Sequence, residues 1–255
     1  MRIRSCGLPN RRCGDGIFDS PFYPKSRMLT SVHSEHRPPD QPPRPASRTG
    51  RARWGGALLG AAVVLALAFW GDAPVDAWVR AHRQSPWLPL AWWVTHWSDW
   101  PELLLLVGAF YGLAVWRRRV RWRQLAAAMA LGLLVVGGSS TLIRSVTGRT
   151  RPNATAVPGW YGVRHDGRWL IGRSDFNAFP SGHMGAMMGV VMPLILGTRR
   201  GRLPGVLAAI LMAWARVFTW YHHLSDVVAS AILGVVLGTW LWRRWGWGAK
   251  ATPRE

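Results

Sequence analysis

Cysteine and acidic residues are scarce in this sequence, and each shortage excludes a class of site. Only two cysteines occur in 255 residues, and both lie near the N-terminus, so no disulfide framework supports the rest of the chain. These residues, Cys6 and Cys13, are irregularly spaced from His33 and His36, unlike the ligands of a zinc site. The 12 Asp and Glu residues form no carboxylate cluster of the kind that binds Mg²⁺.

Positive charge, in contrast, is abundant: 32 Lys and Arg residues give a net charge of +20. A nucleic-acid partner would require a recognisable binding motif, and the sequence contains none. The arginines concentrate in the first fifty positions and in short clusters between apolar blocks. Cytoplasmic loops of membrane proteins have this composition, so we expect no nucleic-acid partner.

Long apolar blocks follow Trp54, whereas the first fifty residues are polar. This pattern predicts an all-α fold, a polytopic membrane helical bundle whose partner is the lipid bilayer. Six transmembrane helices are expected, at Trp54–Trp70, Pro101–Trp116, Gln124–Ile143, Gly182–Gly197, Leu203–Tyr221 and Val227–Trp242. Several are shorter than the ~20 residues that span a bilayer, so their ends should extend into flanking residues or lie in a thin region of membrane. The sequence does not indicate an oligomeric state.

Three regions follow from this division. Residues 1–50, rich in Arg, Pro and Ser, predict a disordered basic cytoplasmic tail, and Met28 is an alternative start of the chain. Residues 51–247 form the predicted six-span membrane domain, and residues 248–255 form a short C-terminal tail.

Arginine clusters set the predicted orientation of the bundle. With six spans, three clusters and both termini lie on one side, which the positive-inside rule identifies as the cytoplasm. The clusters are Arg117, Arg118, Arg119, Arg121 and Arg123, then Arg199, Arg200 and Arg202, then Arg243 and Arg244. We therefore expect a multi-pass protein of the inner (cytoplasmic) membrane with cytoplasmic N- and C-termini.

Two segments are expected on the opposite side. In residues 71–100 we expect a short interfacial helix, and residues 144–180 contain six arginines. A basic loop on the outer face runs against the positive-inside rule. Either short loops tolerate such exceptions, or the charge is retained to hold an anion, and the residues described next favour the second reading.

Three clusters at predicted span ends carry chemically useful groups. They are Arg144, six residues and Arg151-Pro152; Pro180-Ser181-Gly182-His183; and Arg216, five residues, His222, three residues and Asp226. A single arginine here would be an ordinary interfacial residue whose charge reaches the headgroups. Three planar guanidinium groups near one membrane face are suited to binding the oxygens of a phosphate.

The other members of these clusters fit the same chemistry. Ser181 is placed to cap a helix, and Gly182 lets the backbone approach a ligand at the positively polarised helix N-terminus. If residues 222–226 are helical, His222 and Asp226 share a face, and the carboxylate fixes the tautomer of a nucleophilic imidazole. Alternatively, Asp226 interacts only with the helix dipole and His222 is an interfacial residue. His223 points about 100° away on such a helix and is treated as secondary.

The three ordered clusters resemble the signature of the type 2 phosphatidic acid phosphatase (PAP2) superfamily. That pattern is Lys, six residues and Arg-Pro; Pro-Ser-Gly-His; and Ser-Arg, five residues, His, three residues and Asp. The resemblance implies a PAP2/haloperoxidase-like core and no metal or other cofactor. Two positions depart from it: Arg144 replaces the usual Lys, and Ala215 replaces a frequent Ser.

The resemblance also implies roles. His222 would attack phosphorus and form a phosphohistidine, Asp226 would orient it, and His183 would protonate the leaving oxygen. The phosphoryl oxygens would be bound by Arg144, Arg151, Ser181, Gly182 and Arg216.

The expected function is hydrolysis of a lipid phosphate or diphosphate at the outer face of the membrane. Undecaprenyl diphosphate, phosphatidate, phosphatidylglycerol phosphate and lipid A phosphate all fit. Two alternatives stay open: a phosphotransferase that uses the same phosphohistidine, and a non-enzymatic anion-binding membrane protein.

Overall fold

Eight α-helices build the part of the chain that the computed structural model describes, residues 48–245. They are α1 (Arg48–Ala81), α2 (Leu88–His96), α3 (Trp100–Trp116), α4 (Val120–Gly132), α5 (Gly138–Thr147), α6 (Gly182–Gly197), α7 (Arg199–Phe218) and α8 (Leu224–Arg244). A π-helical turn, Leu133–Gly137, joins α4 to α5, so these form one continuous helical segment. The expectations for residues 1–47 and for the C-terminal tail lie outside the described residues.

Helix α6 occupies the centre of the bundle. Its residues from Met184 to Pro193 are all buried, and it packs against α4, α7 and α8. A helix that is apolar on every side is stable only when other helices cover it. Methionines fill much of this core, and Met187, Met188 and Met192 pack with residues of the neighbouring helices. The central position of α6 matters because its first turn carries part of the predicted site.

Small residues allow the closest helix approach in the core. A Cβ atom added to Gly132 of α4 would collide with the backbone carbonyl of Gly189 in α6. Helices in membranes often pack through such small residues, because backbones can then approach closely. The contact lies next to the π-helical turn and holds the α4–α5 segment against α6.

Four helical segments are long and apolar enough to cross a membrane: Gly55–Ala81, Val120–Thr147, Arg199–Phe218 and Leu224–Arg244. Two shorter apolar helices, Trp100–Trp116 and Gly182–Gly197, match the second and fourth expected spans. The all-α bundle is therefore confirmed. Length and composition support four spans among the described residues, and the two short helices leave the six-span count a prediction.

Two span boundaries differ from the sequence prediction. Helix α1 does not end at Trp70 but continues to Ala81, through Pro74. The added turns are held by their carboxylates, since Asp72 accepts hydrogen bonds from the backbone N–H and the hydroxyl of Ser225 at 2.8 and 2.6 Å. Helix α7 ends at Phe218, so Tyr221 lies in the loop that follows.

The segments between the long helices contain three short elements. Helix α2 lies in the segment where a short helix was expected. The α5–α6 loop contains a small antiparallel hairpin, β1 (Arg164–His165) and β2 (Arg168–Trp169), and a 3₁₀ turn, Ser174–Phe176. The loop also carries Arg149, which lies between Arg144 and Arg151 in the sequence and is described below.

Candidate active site

The eight predicted site residues lie at one end of the bundle. Arg144 lies near the end of α5, Arg151 in the following loop, Ser181, Gly182 and His183 around the start of α6, Arg216 near the end of α7, His222 in the α7–α8 loop, and Asp226 in the first turn of α8. Helices α6 and α7 are joined at the other end by Thr198 alone, so the start of α6 and the end of α7 are neighbours.

His222 is fully buried, and its two ring nitrogens have different surroundings. Nδ1 lies 2.8 Å from the backbone carbonyl oxygen of Ala178. A carbonyl only accepts hydrogen bonds, so Nδ1 carries the proton and donates it there. Nε2 has no hydrogen-bond partner among the described residues. The geometry therefore leaves the lone pair of Nε2 free, which is the state a nucleophilic imidazole needs.

The pKa of His222 depends on its burial and on the charges around it. Burial lowers this pKa well below its usual value, and the positive charges of Arg216 and Arg151 and the nearby His183 lower it further. A desolvated imidazole that faces cations resists protonation, because the imidazolium form is penalised twice. Residues from two helices, α6 and α7, and from the α5–α6 loop thus act on one imidazole, which supports a shared site.

Asp226 approaches His222 in a different way from the one expected. Helix α8 begins at Leu224, so His222 precedes the helix and the two residues do not share a helical face. The Oδ2 atom of Asp226 lies 3.4 Å from Nδ1 of His222, and it accepts a hydrogen bond from the backbone N–H of His223 at 2.8 Å. Asp226 therefore caps its own helix while lying close to the imidazole, and Ala178 supplies the shorter contact.

Arg149 connects the carboxylate network and was not singled out by the sequence. Its guanidinium is buried and donates hydrogen bonds to Asp226, to Ser225 at 2.7 Å and to Asp72 at 2.7 Å. Its Cζ atom also lies 5.0 Å from the ring centre of Trp160. The only sequence signal was its position between the two motif arginines, in a loop already rich in Arg. Its long-range partners are not visible without the fold.

His223, treated as secondary in the sequence, belongs to the same network. Its Nδ1 lies 2.5 Å from Oδ2 of Asp76, and its Nε2 lies 3.3 Å from the backbone carbonyl oxygen of Thr150. Burial lowers the pKa of His223, but the hydrogen bond to Asp76 and the charge of Asp226 raise it above its usual value overall. Both nitrogens face acceptors, so this geometry favours the protonated form of His223, which donates from both nitrogens.

His183 has an acidic partner that the motifs did not include. Its Nε2 lies 3.4 Å from Oδ1 of Asp99, the residue that caps α3 and accepts a hydrogen bond from the backbone N–H of Trp100 at 2.8 Å. The interaction with His183 lowers the pKa of Asp99 to about 2. Asp99 is therefore a carboxylate at neutral pH, and it favours a proton on His183.

Two of the three predicted phosphate-binding arginines flank one aromatic ring. The Cζ atoms of Arg151 and Arg216 lie 5.1 and 5.3 Å from the ring centre of Tyr221. Arg151 also donates two hydrogen bonds to the side chain of Asn177, at 3.1 and 2.8 Å. Arg216 is almost completely buried, and its Nε has no partner among the described residues. The tyrosine and the asparagine fix where the two guanidinium groups point.

The three guanidinium groups lack compensating acids. Within residues 48–245, no carboxylate lies within ion-pair distance of Arg144, Arg151 or Arg216. Burial lowers the pKa of Arg151, and the charge of Arg144 lowers it further. Cations held together without acids are destabilising unless an anion joins them. The arrangement therefore favours an anionic ligand between them.

Ser181 caps α6 and fastens it to α8. Its hydroxyl oxygen accepts a hydrogen bond from the backbone N–H of Met184. Its backbone N–H donates to the carbonyl of Asp226 at 3.1 Å, and its carbonyl accepts from the hydroxyl of Ser230 at 2.7 Å. The N–H of Ser181 is thus already occupied. The free donors of the α6 N-terminus are therefore the N–H groups of Gly182 and His183, because those of Met184 and Gly185 donate to Ser181.

A cavity of about 620 Å³ lies beside these residues. It is lined by the end of α1 and by the α5–α6 loop, and it includes side chains of Arg151, His223 and Trp220. His222 and His183 are not among its lining residues. The cavity therefore adjoins the imidazole and guanidinium cluster but does not contain it. Among the described residues, no three His, Cys, Asp or Glu side chains are grouped to hold a metal ion.

Comparisons with known proteins agree with the motifs. Residues 121–249 match the PAP2 superfamily. A comparison with curated protein sequences gave no significant match. The fold is similar to the crystal structure of a transmembrane PAP2-type phosphatidylglycerolphosphate phosphatase from Bacillus subtilis, with a TM-score of 0.51 and 19% sequence identity. That similarity covers 78% of this chain and 96% of the Bacillus protein.

Proposed function

Because this multi-pass membrane protein belongs to the PAP2 superfamily, we propose that it hydrolyses a lipid phosphate or diphosphate through a phosphohistidine on His222. The observation that carries the proposal is the state of that imidazole. Its Nδ1 donates to Ala178, its Nε2 is buried and free, and its low pKa keeps it neutral. A buried, neutral imidazole next to uncompensated guanidinium groups is suited to attack on an anionic phosphorus centre.

The first step forms a bond between Nε2 of His222 and phosphorus and breaks the bond from phosphorus to the lipid oxygen. His183, whose proton Asp99 favours, gives that proton to the leaving oxygen. Arg144, Arg151 and Arg216 bind the equatorial oxygens, where negative charge is spread in the transition state. The N–H groups at the start of α6, with Gly182, add neutral donors. The Ser181 hydroxyl donates a further hydrogen bond to the phosphoryl group.

The second step returns the enzyme to its starting state. Water attacks the phosphohistidine while His183 takes one of its protons, so the new oxygen–phosphorus bond replaces the bond to Nε2. The products are inorganic phosphate and the lipid alcohol, or a lipid monophosphate if the substrate is a diphosphate. Asp226 stabilises the imidazole from 3.4 Å, and it acts together with the Ala178 carbonyl.

We further propose six spans, with the site at the outer face of the cytoplasmic membrane and both termini in the cytoplasm. The short apolar helices Trp100–Trp116 and Gly182–Gly197 then cross the bilayer, and the arginine clusters lie on the cytoplasmic side. Many large apolar side chains face outward, for example Leu58, Leu59 and Leu67 on α1, as expected for contact with lipid. An interfacial site of this kind suits undecaprenyl diphosphate, phosphatidate or phosphatidylglycerol phosphate.

The decisive test is phosphate release by the purified protein in neutral detergent with EDTA present. A panel of prenyl diphosphate, phosphatidate and phosphatidylglycerol phosphate is assayed with the wild type, His222→Ala and His165→Ala. His165 is an exposed loop histidine and serves as the control. We expect release to fall at least ~1,000-fold in His222→Ala only, since the nucleophile is lost. Equal release by the wild type and His222→Ala would overturn the proposal.

A labelled donor lipid separates hydrolysis from transfer. Hydrolysis places the label in inorganic phosphate, whereas a phosphotransferase places it on a second lipid. If the protein instead binds anions without catalysis, His222→Gln should retain function, whereas variants that lack the arginines should lose it.

A further inference from the structure

A second cavity, of about 550 Å³, lies at the end of the bundle opposite to the candidate active site. It forms where the first turns of α4, the α6–α7 connection with the start of α7, and the end of α8 meet. Three arginines line it, Arg121, Arg199 and Arg200, together with Trp122, Thr198 and Trp242. We call this cavity the basic pocket. Nothing in the proposed reaction uses it.

The basic pocket has no counter-charge within the described residues. All the carboxylates between residues 48 and 245 belong to the end of α1, the starts of α3 and α8, or the α5–α6 loop: Asp72, Asp76, Asp99, Glu102, Asp166, Asp175 and Asp226. Each of these places is at the active-site end. None of the ion pairs among those residues includes Arg121, Arg199 or Arg200. The three guanidinium groups are therefore available to an external anion.

The basic pocket is a cavity that a lipid headgroup can enter, and not a flat charged surface. Trp242 lies against Gly197, where a Cβ atom would be 2.7 Å from its ring, and the buried Leu125 also lines the pocket. Thr198 caps α7 by accepting a hydrogen bond from Gly201 at 2.8 Å, so the positive end of the helix dipole also faces this region. Apolar and aromatic walls with a cationic rim match a lipid with an anionic headgroup.

We propose that the basic pocket binds the headgroup of an anionic phospholipid from the leaflet opposite to the active site. Guanidinium groups bind a phosphodiester through two oxygens, and tryptophans at the interface lie beside the glycerol and upper acyl region. An ordinary positive-inside cluster would attract anionic lipid diffusely and would not need a cavity between α4, the α6–α7 connection and α8. The difference between these two readings can be measured.

The test compares two triple variants with the same loss of charge. One removes the pocket arginines, Arg121→Gln, Arg199→Gln and Arg200→Gln. The other removes three exposed arginines that do not line the pocket, Arg117→Gln and Arg118→Gln in the α3–α4 connection and Arg202→Gln in the first turn of α7. Phosphatidylglycerol or phosphatidylcholine is titrated into each protein in neutral detergent, and retained lipid is counted by native mass spectrometry. Size-exclusion profiles and phosphate release verify that each variant is folded.

The wild type should retain phosphatidylglycerol in preference to phosphatidylcholine. The pocket variant should lose about tenfold in affinity for phosphatidylglycerol, and the control variant less than about twofold. Equal losses in the two variants would show diffuse attraction and overturn the proposal, as would a wild type without preference. A third arm adds millimolar inorganic phosphate. If phosphate alone displaces the lipid, the pocket holds a soluble anion and the lipid assignment is wrong.

Discussion

Gly182 and Arg144 are in direct contact: a Cβ atom at Gly182 would lie 2.7 Å from Nη1 of Arg144 and 3.0 Å from its Cζ. Gly182, in the Pro-Ser-Gly-His cluster, therefore leaves room for the guanidinium group of Arg144. Glycine is required at position 182 for space and not for its backbone conformation, because Gly182 lies in the first turn of an α-helix. A residue from α5 and a residue from α6 depend on each other for their positions.

The Gly182→Ala variant should consequently lose activity with little loss of stability. The methyl group displaces the flexible end of Arg144 by roughly an ångström, and such a displacement of a transition-state contact costs about 10- to 100-fold in rate. The measurement is kcat/KM for phosphate release, with the denaturation midpoint in the same detergent. Gly138→Ala is the matched control, since nothing lies within 4 Å of a Cβ atom there. Full activity in Gly182→Ala would show that the contact has no role.

Arg149 should matter chiefly for stability. Its replacement by Met leaves Asp72 and Asp226 buried without their shared cation, and removing one partner of a buried ion pair typically costs about 3–5 kcal/mol. We expect a clear fall in the denaturation midpoint of Arg149→Met. Arg149→Lys should restore only part of the lost midpoint, because one ammonium group cannot reach both carboxylates as the planar guanidinium does. Arg164→Gln, in the exposed hairpin, is the control and should leave the midpoint unchanged. An unchanged midpoint in Arg149→Met contradicts the network.

The sequence predicted the parts of the molecule that depend on local pattern. The second and fourth predicted spans match the helices Trp100–Trp116 and Gly182–Gly197 closely, because apolar runs and a capping residue mark their ends. The second motif's Ser181 caps its helix as expected. The motif order also led to the PAP2 superfamily, which the family match confirms.

Contacts between distant residues were not predictable in the same way. Arg149 reaches carboxylates 77 positions away on both sides, and no local pattern marks such a pair. The partner of His183, Asp99, lies on another helix, and the partner of His222 is a backbone carbonyl, which any residue supplies. The continuation of α1 past Trp70 was missed because a glycine, an aspartate and a proline usually mark a helix end, and Asp72 is stabilised only by tertiary contacts.

The pH dependence of the reaction should follow the pKa of His222. Nucleophilic attack requires the neutral imidazole, and a pKa below the usual value keeps that form present below pH ~6.5. Replacing Arg151 by Gln removes one of the positive charges that lower this pKa. The pKa therefore rises, and the acidic limb of kcat/KM moves to higher pH.

The measurement compares full pH profiles of the wild type and Arg151→Gln with one substrate, so that ionisation of the substrate is the same in both. Arg151→Gln should also weaken phosphate binding and lower the whole curve, but only a changed pKa shifts the limb. Arg173→Gln, an exposed arginine of the same loop, should leave the limb in place. Identical limbs in the wild type and Arg151→Gln would rule out this electrostatic effect on the nucleophile.

Asp99 is expected to act through His183 as a positioning residue. Its carboxylate favours a proton on the imidazole, and in the proposed reaction that proton goes to the leaving oxygen. Asp99→Asn should slow hydrolysis of an alkyl phosphate lipid about 10- to 100-fold, the usual range for the loss of general-acid assistance. A phosphate ester with an aryl leaving group, such as p-nitrophenyl phosphate, needs little protonation, so its rate should fall much less. Glu102→Gln, one turn further along α3, is the control. A structural role for Asp99 alone would slow both substrates equally, and that outcome would remove Asp99 from the reaction.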